Sequence, residues 1–188
     1  MTEPLGLESK VVRLVPHDPR WNDLYRREAE RLASAIAAAG LPVLRMEHVG
    51  STSVPGLAAK PILDIAAGRI GTVAAAEYVA AVERAGYVYR GECGLPGREF
   101  FRHGELRTHH LHLVELNGEH WQRYLCFRDA LRTDDVARAA YEALKRELAQ
   151  RYPRDREAYV EGKREFVEDV IRRSIDSASA GERGAHNQ

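Results

Sequence analysis

Residues 61–67 read Pro-Ile-Leu-Asp-Ile-Ala-Ala, a continuous apolar run that is followed by Gly68 and interrupted by one charged residue, Asp64. A short apolar run between turn residues is typical of a central strand that is buried on both faces. The sequence is therefore expected to fold around a sheet. An unpaired carboxylate inside such a strand is costly. Asp64 must be hydrogen-bonded, paired, bound to a metal, or placed at a strand end that faces a cleft.

The other patterns surround this strand with short strands and helices. Alternating segments bounded by turn residues predict strands, and apolar residues at helical spacing between cap signals predict helices. The predicted strands are 43–50, 87–92, 98–103 and 109–115, with 11–16 as a short strand or an extended lead-in, and the early helices are 18–40 and 72–86. After Asn117 the pattern is helical. We therefore expect an α+β fold, with a mixed sheet flanked by helices and a helical C-terminal third.

The length of 188 residues is sufficient for one domain with a sizeable core. We expect this domain over 10–173, with flexible tails at 1–9 and 174–188. No apolar stretch approaches the ~20 residues of a membrane span, and the first ten residues lack the basic-then-apolar order of a signal peptide. A cytoplasmic protein without a membrane partner is expected.

Charge and cysteine content narrow the classes of function. Lys and Arg together number 28, as do Asp and Glu, so the chain has no net charge. This balance, and the lack of a basic helix with base-reading residues, predicts no binding to nucleic acid. Cys93 and Cys126 are the two cysteines, and both are expected to be reduced structural thiols.

A glycine- and hydroxyl-rich turn precedes the central strand. A Gly-Ser turn that opens a helix can hold a phosphate with backbone N–H groups and hydroxyls. We expect an anion site at this turn, formed by Gly50, Ser51, Thr52 and Ser53. Lys60 would add a positive charge, and Asp64 would hold a divalent cation nearby. The alternative is a simple helix N-cap by one of the serines, with Asp64 capping a loop.

His48 stands two residues before the glycine of this turn. It would orient the turn or contact the phosphate, and simple packing is an equal alternative. Arg98 shares a strand face with Phe100 and Arg102, and an arginine beside an aromatic ring can bind a phosphate and stack on a base. For Arg98 this binding role and a solvated edge-strand position are both open, while Arg102 is expected to lie in water.

The segment His-His-Leu-His-Leu-Val-Glu at 109–115 carries the other unusual pattern. On a strand, His110 and His112 point to the same face because side chains alternate. Two imidazoles at this spacing can chelate one metal, meet one phosphate, or act as acid–base groups near pH 7. The alternative is that one or both are hydrogen-bonded within the sheet. His109 points to the opposite face and is expected to be exposed.

The segments quoted above resemble the GrpB family of bacterial proteins. The resemblance is carried by His-Val-Gly-Ser-Thr-Ser-Val-Pro-Gly-Leu-Ala-Ala-Lys-Pro-Ile-Leu-Asp-Ile at 48–65 and by the histidine segment, and it extends over roughly 10–173. The family in turn resembles the nucleotidyltransferase superfamily and is also found fused to dephospho-CoA kinase. The resemblance implies a nucleotidyltransferase-like fold and an association with coenzyme A biosynthesis.

The superfamily pattern implies roles for particular residues. Gly50 and Ser51 match the turn that holds phosphates, and Asp64 matches the first of the acids that bind two Mg²⁺ ions. The second acid is expected at position 66, where this chain has Ala66. The resemblance also brings His110 and His112 near Asp64, so that these three residues would be catalytic and would ligate Mg²⁺, Mn²⁺ or, because imidazole suits it, Zn²⁺. It brings the lysines of the C-terminal helices, Lys145 and Lys163, towards the nucleotide.

Three functions are compatible with these observations. The first is a metal-dependent nucleotidyltransferase that acts on a nucleoside triphosphate and an acceptor. The second is a non-catalytic module that binds a nucleotide or a CoA-type ligand and has lost the second acid. The third is a hydrolase on the same scaffold with one histidine-liganded metal.

Overall fold

The structure is a computed structural model that describes residues 4–71 and 73–185, with the side chains of 177–185 left aside. Five strands and six helices follow one another in this part of the chain. In order they are α1 Trp21–Ala38, β1 Arg45–Val49, β2 Leu63–Arg69, α2 Ala75–Arg84, β3 Tyr87–Tyr89, β4 Glu99–His103, β5 His109–Glu115, α3 Glu119–Thr133, α4 Asp135–Arg151, α5 Arg156–Glu161 and α6 Arg164–Ala185. The α+β prediction with a helical C-terminal third is confirmed.

The five strands form one mixed sheet in the order β1-β2-β5-β4-β3. The β2 and β5 strands are parallel, and the other three pairs are antiparallel. The apolar run that contains Asp64 thus has a strand on each side, as its composition predicts. Its register places Asp64 opposite Val49 of β1 and opposite His110 of β5.

The two faces of the sheet are covered by different helices. On one face, Ile65, Leu111 and Phe101 pack with Leu32 of α1 and Tyr78 of α2 in the largest core cluster. The opposite face, which carries Asp64, His110 and His112, is covered by α3, with α4 and α6 packed against α3. We call the space between this second face and the C-terminal helices the cleft.

The N-terminal residues differ from the predicted flexible tail at 1–9. The backbone N–H groups of Gly6 and Leu7 donate to the carbonyls of Pro61 and Leu106, and Leu7 is buried. Arg107 donates to the carbonyls of Leu7 and Glu8, so this segment is held by backbone contacts that a sequence pattern does not show. Residues 1–3 lie outside the described residues.

At the other end, helix α6 continues to Ala185, although a flexible tail was predicted from 174. Small residues such as Ala and Ser are compatible with a helix even where no apolar stripe is present. Residues 186–188 lie outside the described part. None of the described helices combines the length and the apolar character that crossing a bilayer requires.

Candidate functional site

Gly50 allows the predicted turn to lie directly against Asp64. It follows β1 with a φ of 69°, in the left-handed region that favours glycine. A Cβ atom at this position would lie 2.6 Å from Oδ2 of Asp64. The turn continues as a short 3-10 helix, Ser51–Ser53.

The three hydroxyls of the turn have different partners. Ser53 Oγ donates to the carbonyl of Gly50 at 2.6 Å. Thr52 Oγ1 donates to the carbonyl of Ile62 at 3.4 Å and accepts from Nε2 of His48 at 3.0 Å. Ser51 Oγ accepts from Nζ of Lys145 at 3.2 Å. Ser51 is therefore the hydroxyl that meets a cation, while Thr52 and Ser53 hold the turn.

His48 belongs to the support of this turn. Its ring stacks on Tyr25 with centroids 4.8 Å apart, and burial lowers its pKa to about 4. A neutral imidazole that is already bonded to Thr52 is suited to orienting the turn rather than to binding a phosphate.

The structure brings together Asp64, His110 and His112. Oδ1 of Asp64 lies 3.0 Å from Nδ1 of His110 and 3.4 Å from Nε2 of His112. Burial alone would raise the pKa of Asp64, but the hydrogen bonds from the two imidazoles outweigh it and hold that pKa well below its usual range. The Asp64 side chain is still 29% exposed, so it faces the cleft as a carboxylate.

The protons of the two histidines can be assigned from their neighbours. Nδ1 of His112 lies 3.4 Å from Nη1 of Arg98 and 3.2 Å from the Tyr124 hydroxyl. A guanidinium group can only donate, so Nδ1 is the acceptor and the proton on Nε2 points to Asp64. His110 donates to Asp64 from Nδ1, which leaves its Nε2 as a lone pair, and this buried atom has no partner among the described residues. Burial lowers the pKa of His110 to about 4, so it is neutral at pH 7.

This arrangement decides which metals the residues fit. The two-ion site implied by the superfamily needs several carboxylates, and Ala66 stands where the second would be, opposite His112. The three predicted ligands do not fit one shared ion either, because both imidazoles direct N–H groups at the same carboxylate oxygen. Oδ2 of Asp64 faces the Gly50 turn. It fits a single Mg²⁺ or Mn²⁺ whose other ligands are phosphate oxygens and water.

Three lysines belong to this region: the charge of Asp64 acts on Lys60 and Lys163, and Lys145 contacts Ser51. Lys60 and Lys163 both lie against the buried ring of Tyr159, with Nζ atoms 5.2 and 4.6 Å from its centroid. Lys145 is buried, lies 4.9 Å from the Tyr141 ring, and donates to Ser51 and to the carbonyl of Ala58. Lys145 thus reaches the Gly50–Ser51 turn, and Lys163 shares the Tyr159 ring with Lys60.

The lysines are short of negative partners. Burial, with the charge of Lys163, lowers the pKa values of Lys60 and Lys145 to about 7. Burial lowers that of Lys163 to about 8, although Asp64 opposes the shift. Glu142 opposes the shift in the pKa of Lys145, but three partly desolvated lysines outnumber these two carboxylates, which favours the binding of an anion.

Arg98 lies at the edge of the site. Its guanidinium donates to the carbonyls of Glu92 and Cys93 at 2.9 Å, sits 5.0 Å from the Phe100 ring, and reaches His112. Because the guanidinium already donates to two loop carbonyls, its role here is to fix which nitrogen of His112 carries the proton. Its buried position contradicts the solvated edge-strand alternative, and its role as a phosphate ligand stays a prediction.

Arg102 and Arg156 are two cationic residues whose positions do not follow from the sequence pattern. Arg102 was expected in water, but its Nε is buried. The available signal was its place on the same strand face as His110, its register partner. Arg156 begins α5 and its charge acts on Arg102, and no sequence pattern connects that helix with β4.

A second cluster lies on the other face of the sheet. Within the described residues, Glu28, His103 and His109 form the group whose potential ligand atoms all lie within 4.8 Å of one another. His109 is only partly buried, and burial lowers its pKa to about 4.

The family-model comparison identifies the chain. The model described as GrpB protein matches residues 11–173. The chain belongs to the GrpB family. It is 41% identical over 169 residues to UPF0157 protein PA4798 of Pseudomonas aeruginosa, covering 87% of this chain and 68% of that protein. It is 33% identical over 195 residues to a dephospho-CoA kinase of Mycolicibacterium paratuberculosis, covering 90% of this chain and 47% of the kinase. The chain thus spans about half to two thirds of these curated relatives.

Two solved structures resemble the fold. The crystal structure of GrpB from Enterococcus faecalis has a TM-score of 0.78 and 32% identity, and the match covers 88% of this chain and 99% of that one. The MgGTP-bound structure of the Cid1 poly(U) polymerase has a TM-score of 0.51 and 12% identity, covering 72% of this chain and 44% of the polymerase. The likeness to the polymerase shows a common fold, and the nucleotidyltransferase-like prediction for this GrpB protein is confirmed at that level.

Proposed function

We propose that this GrpB protein binds a nucleoside triphosphate in the cleft and transfers its nucleotidyl group to an acceptor hydroxyl. The observation that carries the proposal is the convergence of three lysines on the Gly50–Ser51 turn and Asp64. Ser51, Lys145, Lys60 and Lys163 would hold the phosphates. The fold of a polymerase whose structure is described as MgGTP-bound is consistent with such a ligand.

The side chains of the cleft account for each part of the transfer. The acceptor oxygen forms a bond to the α-phosphorus, the bond from that phosphorus to the bridging oxygen breaks, and pyrophosphate leaves with the electron pair. Nε2 of His110 takes the proton of the acceptor hydroxyl, and Asp64 stabilises the resulting imidazolium through Nδ1. The lysines stabilise the charge on the leaving pyrophosphate.

A divalent cation fits one position in this scheme. Oδ2 of Asp64, with phosphate oxygens of the nucleotide, would hold one Mg²⁺ or Mn²⁺. When bound, such an ion neutralises phosphate charge. The order of steps above does not depend on it. A zinc hydrolase with His110 and His112 as ligands is disfavoured, because Arg98 fixes the His112 proton towards Asp64.

A second candidate is a binding module without turnover. Ala66 favours it, because the superfamily pattern that the chain resembles implies an acid at this position. The dephospho-CoA kinase relative suggests a CoA-type ligand and an association with coenzyme A biosynthesis. Both candidates place the protein in the cytoplasm, where nucleotides and Mg²⁺ are available.

Calorimetric titration of metal-free protein with ATP, GTP, CTP and UTP, each with Mg²⁺ and again with Mn²⁺, tests the proposal. Binding of at least one nucleotide that weakens in Lys145→Met is the expected result. Release of pyrophosphate then separates the transferase from the binding module. Absence of binding to all four nucleotides would contradict the transferase and the nucleotide-binding form of the module.

A further inference from the structure

Four buried side-chain polar atoms in the described part of the chain have no hydrogen-bond partner. They are Nε of Arg102, Nδ1 of His103, Nε2 of His110 and Nε of Arg156. Because buried polar groups are nearly always paired, such atoms indicate a ligand or a bound water that completes them. Two of the four are guanidinium N–H groups, which require an acceptor.

Arg102 lies beside the catalytic histidine proposed above. In the sheet register, Asp64 of β2, His110 of β5 and Arg102 of β4 form one row, so their side chains share the cleft face. The guanidinium lies 5.7 Å from the Phe100 ring. Its buried Nε has no hydrogen-bond partner among the described residues.

Arg156 approaches the same place from helix α5. It lies three residues before Tyr159, on the same side of that helix. The Tyr159 ring is the one that Lys60 and Lys163 contact. Burial and then the charge of Arg156 lower the pKa of Arg102, and the same charge acts on both lysines. Arg102 and Arg156 therefore act on each other as like charges, and each has a buried Nε without a partner among the described residues.

The row of residues also separates two positive regions. The Gly50–Ser51 turn lies at Oδ2 of Asp64, on the β1 side, with Lys145 on Ser51. Arg102 lies on the other side of Asp64, beyond His110. In phosphoryl transfer the attacking and leaving oxygens lie roughly in line on opposite sides of phosphorus. With the leaving pyrophosphate at Ser51 and Lys145, the acceptor would occupy the Arg102 side.

We propose that Arg102 and Arg156 form a second oxyanion subsite, which binds a phosphate or carboxylate group of the acceptor. This inference rests on the proposed nucleotidyl transfer for its orientation. The acceptor would be an anionic small molecule, whose hydroxyl would lie beside Nε2 of His110. Paired guanidinium groups recognise phosphate and carboxylate oxygens through two parallel N–H bonds.

Titration calorimetry of the full chain with inorganic phosphate and, separately, with acetate tests the subsite. We expect phosphate, acetate or both to bind the wild type, and the affinity to fall at least tenfold in Arg102→Gln and in Arg156→Gln. Arg154→Gln is the matched control, because Arg154 is exposed and two residues from Arg156. It should bind as the wild type does. Thermal unfolding of each variant checks that it is folded.

ATP titration of the same variants separates this inference from the proposed function. In Arg102→Gln and Arg156→Gln the ATP affinity is expected to stay within threefold of that of the wild type. Lys145→Met is expected to weaken ATP binding and to keep phosphate binding that depends on the arginines. Phosphate binding that depends on Lys145 and not on the arginines would overturn the subsite. An equal loss of ATP and phosphate affinity in the arginine variants would also overturn it, since the arginines would then belong to the triphosphate site. If ATP does not bind but phosphate still does, the nucleotide proposal would be rejected and the arginine subsite would stand.

Discussion

Strand β5 has His110 and His112 on one face and His109 on the other. A carboxylate lies beside the histidines on each face. We call Asp64, His110 and His112 the cleft cluster, and Glu28, His103 and His109 the helix-side cluster. By distance alone, the helix-side cluster is the better candidate for a metal, because its ligand atoms all lie within 4.8 Å. The partners of the two carboxylates lead to the opposite conclusion.

Glu28 is saturated by its neighbours. Arg31 donates to both of its oxygens, at 2.6 and 2.9 Å, and the Tyr87 hydroxyl donates at 2.8 Å. Its charge is therefore neutralised within the protein, and the cluster ties α1 to β3. Asp64 accepts from two neutral imidazoles, and the cations around it retain capacity for an anion. The comparison shows that unsatisfied charge, rather than ligand count, distinguishes a binding site from a structural network.

The largest expected difference between the clusters is catalytic. Replacing His110 by Gln removes the proton acceptor, and a general base contributes about 10²–10⁴-fold to a rate. We expect pyrophosphate release to fall at least ~100-fold in His110→Gln, measured with a nucleotide that binds the wild type. His109→Gln, one residue away on the other face, should remain within about threefold. Equal losses in the two variants would contradict the assignment of roles.

For stability we expect the reverse, with the larger effect from a mutation in the helix-side cluster. Glu28→Ala leaves Arg31 and Tyr87 without their acceptor, and breaking a buried pair costs about 3–5 kcal/mol. Because the Arg31 side chain is 42% exposed, we expect a smaller loss of unfolding free energy, about 2 kcal/mol. Urea denaturation measures it, with the exposed Glu30→Ala on the same helix as the control. A change as small as that of the control would mean that the helix-side cluster is not a structural network.

On the cleft side, replacing Lys145 at the turn tests whether its charge contributes to ATP affinity. Lys145→Met keeps the length of the chain against Tyr141 but removes the charge next to Ser51. A hydrogen bond to a charged group contributes about 1.5–3 kcal/mol, so we expect ATP to bind about tenfold more weakly. The exposed Arg151→Gln on the same helix serves as the control. An unchanged ATP affinity in Lys145→Met would place the phosphates elsewhere.

The smallest expected effect is on pH dependence. Lys60 and Lys145 have pKa values of about 7 and Lys163 of about 8, so all three lose protons as pH rises. ATP affinity should therefore fall about fivefold between about pH 7 and pH 9.5. These lysine pKa values are lowered from 10.5, so the unfolded chain binds more protons in this range and the stability of the free protein should rise with pH. An ATP affinity that is flat in this range would contradict the role of the lysines.

The sequence predicts some of this arrangement from local patterns. The apolar run around Asp64 predicts the central strand, and alternation at 109–115 predicts that His110 and His112 share a face apart from His109. The mixed sheet and the family were predicted and are confirmed. The site assignments remain proposals.

Contacts between distant segments could not be predicted in this way. Lys145 reaches Ser51 from 94 residues away, and Arg107 holds residues about 100 positions earlier in the chain. Arg98 fixes the proton of His112 through a contact that depends on how the loop after β3 folds back. Such contacts arise from tertiary packing, and no periodicity of the local sequence encodes them.

The most direct test of the central claim is the Mg²⁺ dependence of ATP binding in Asp64→Asn and in Glu28→Gln. Asp64 is the carboxylate that faces the phosphate turn, so Asp64→Asn should remove the gain in ATP affinity that Mg²⁺ gives the wild type. Glu28→Gln should retain that gain, because its cluster lies on the other face of the sheet. If Mg²⁺ strengthens ATP binding equally in both variants, the cleft cluster is not the nucleotide site.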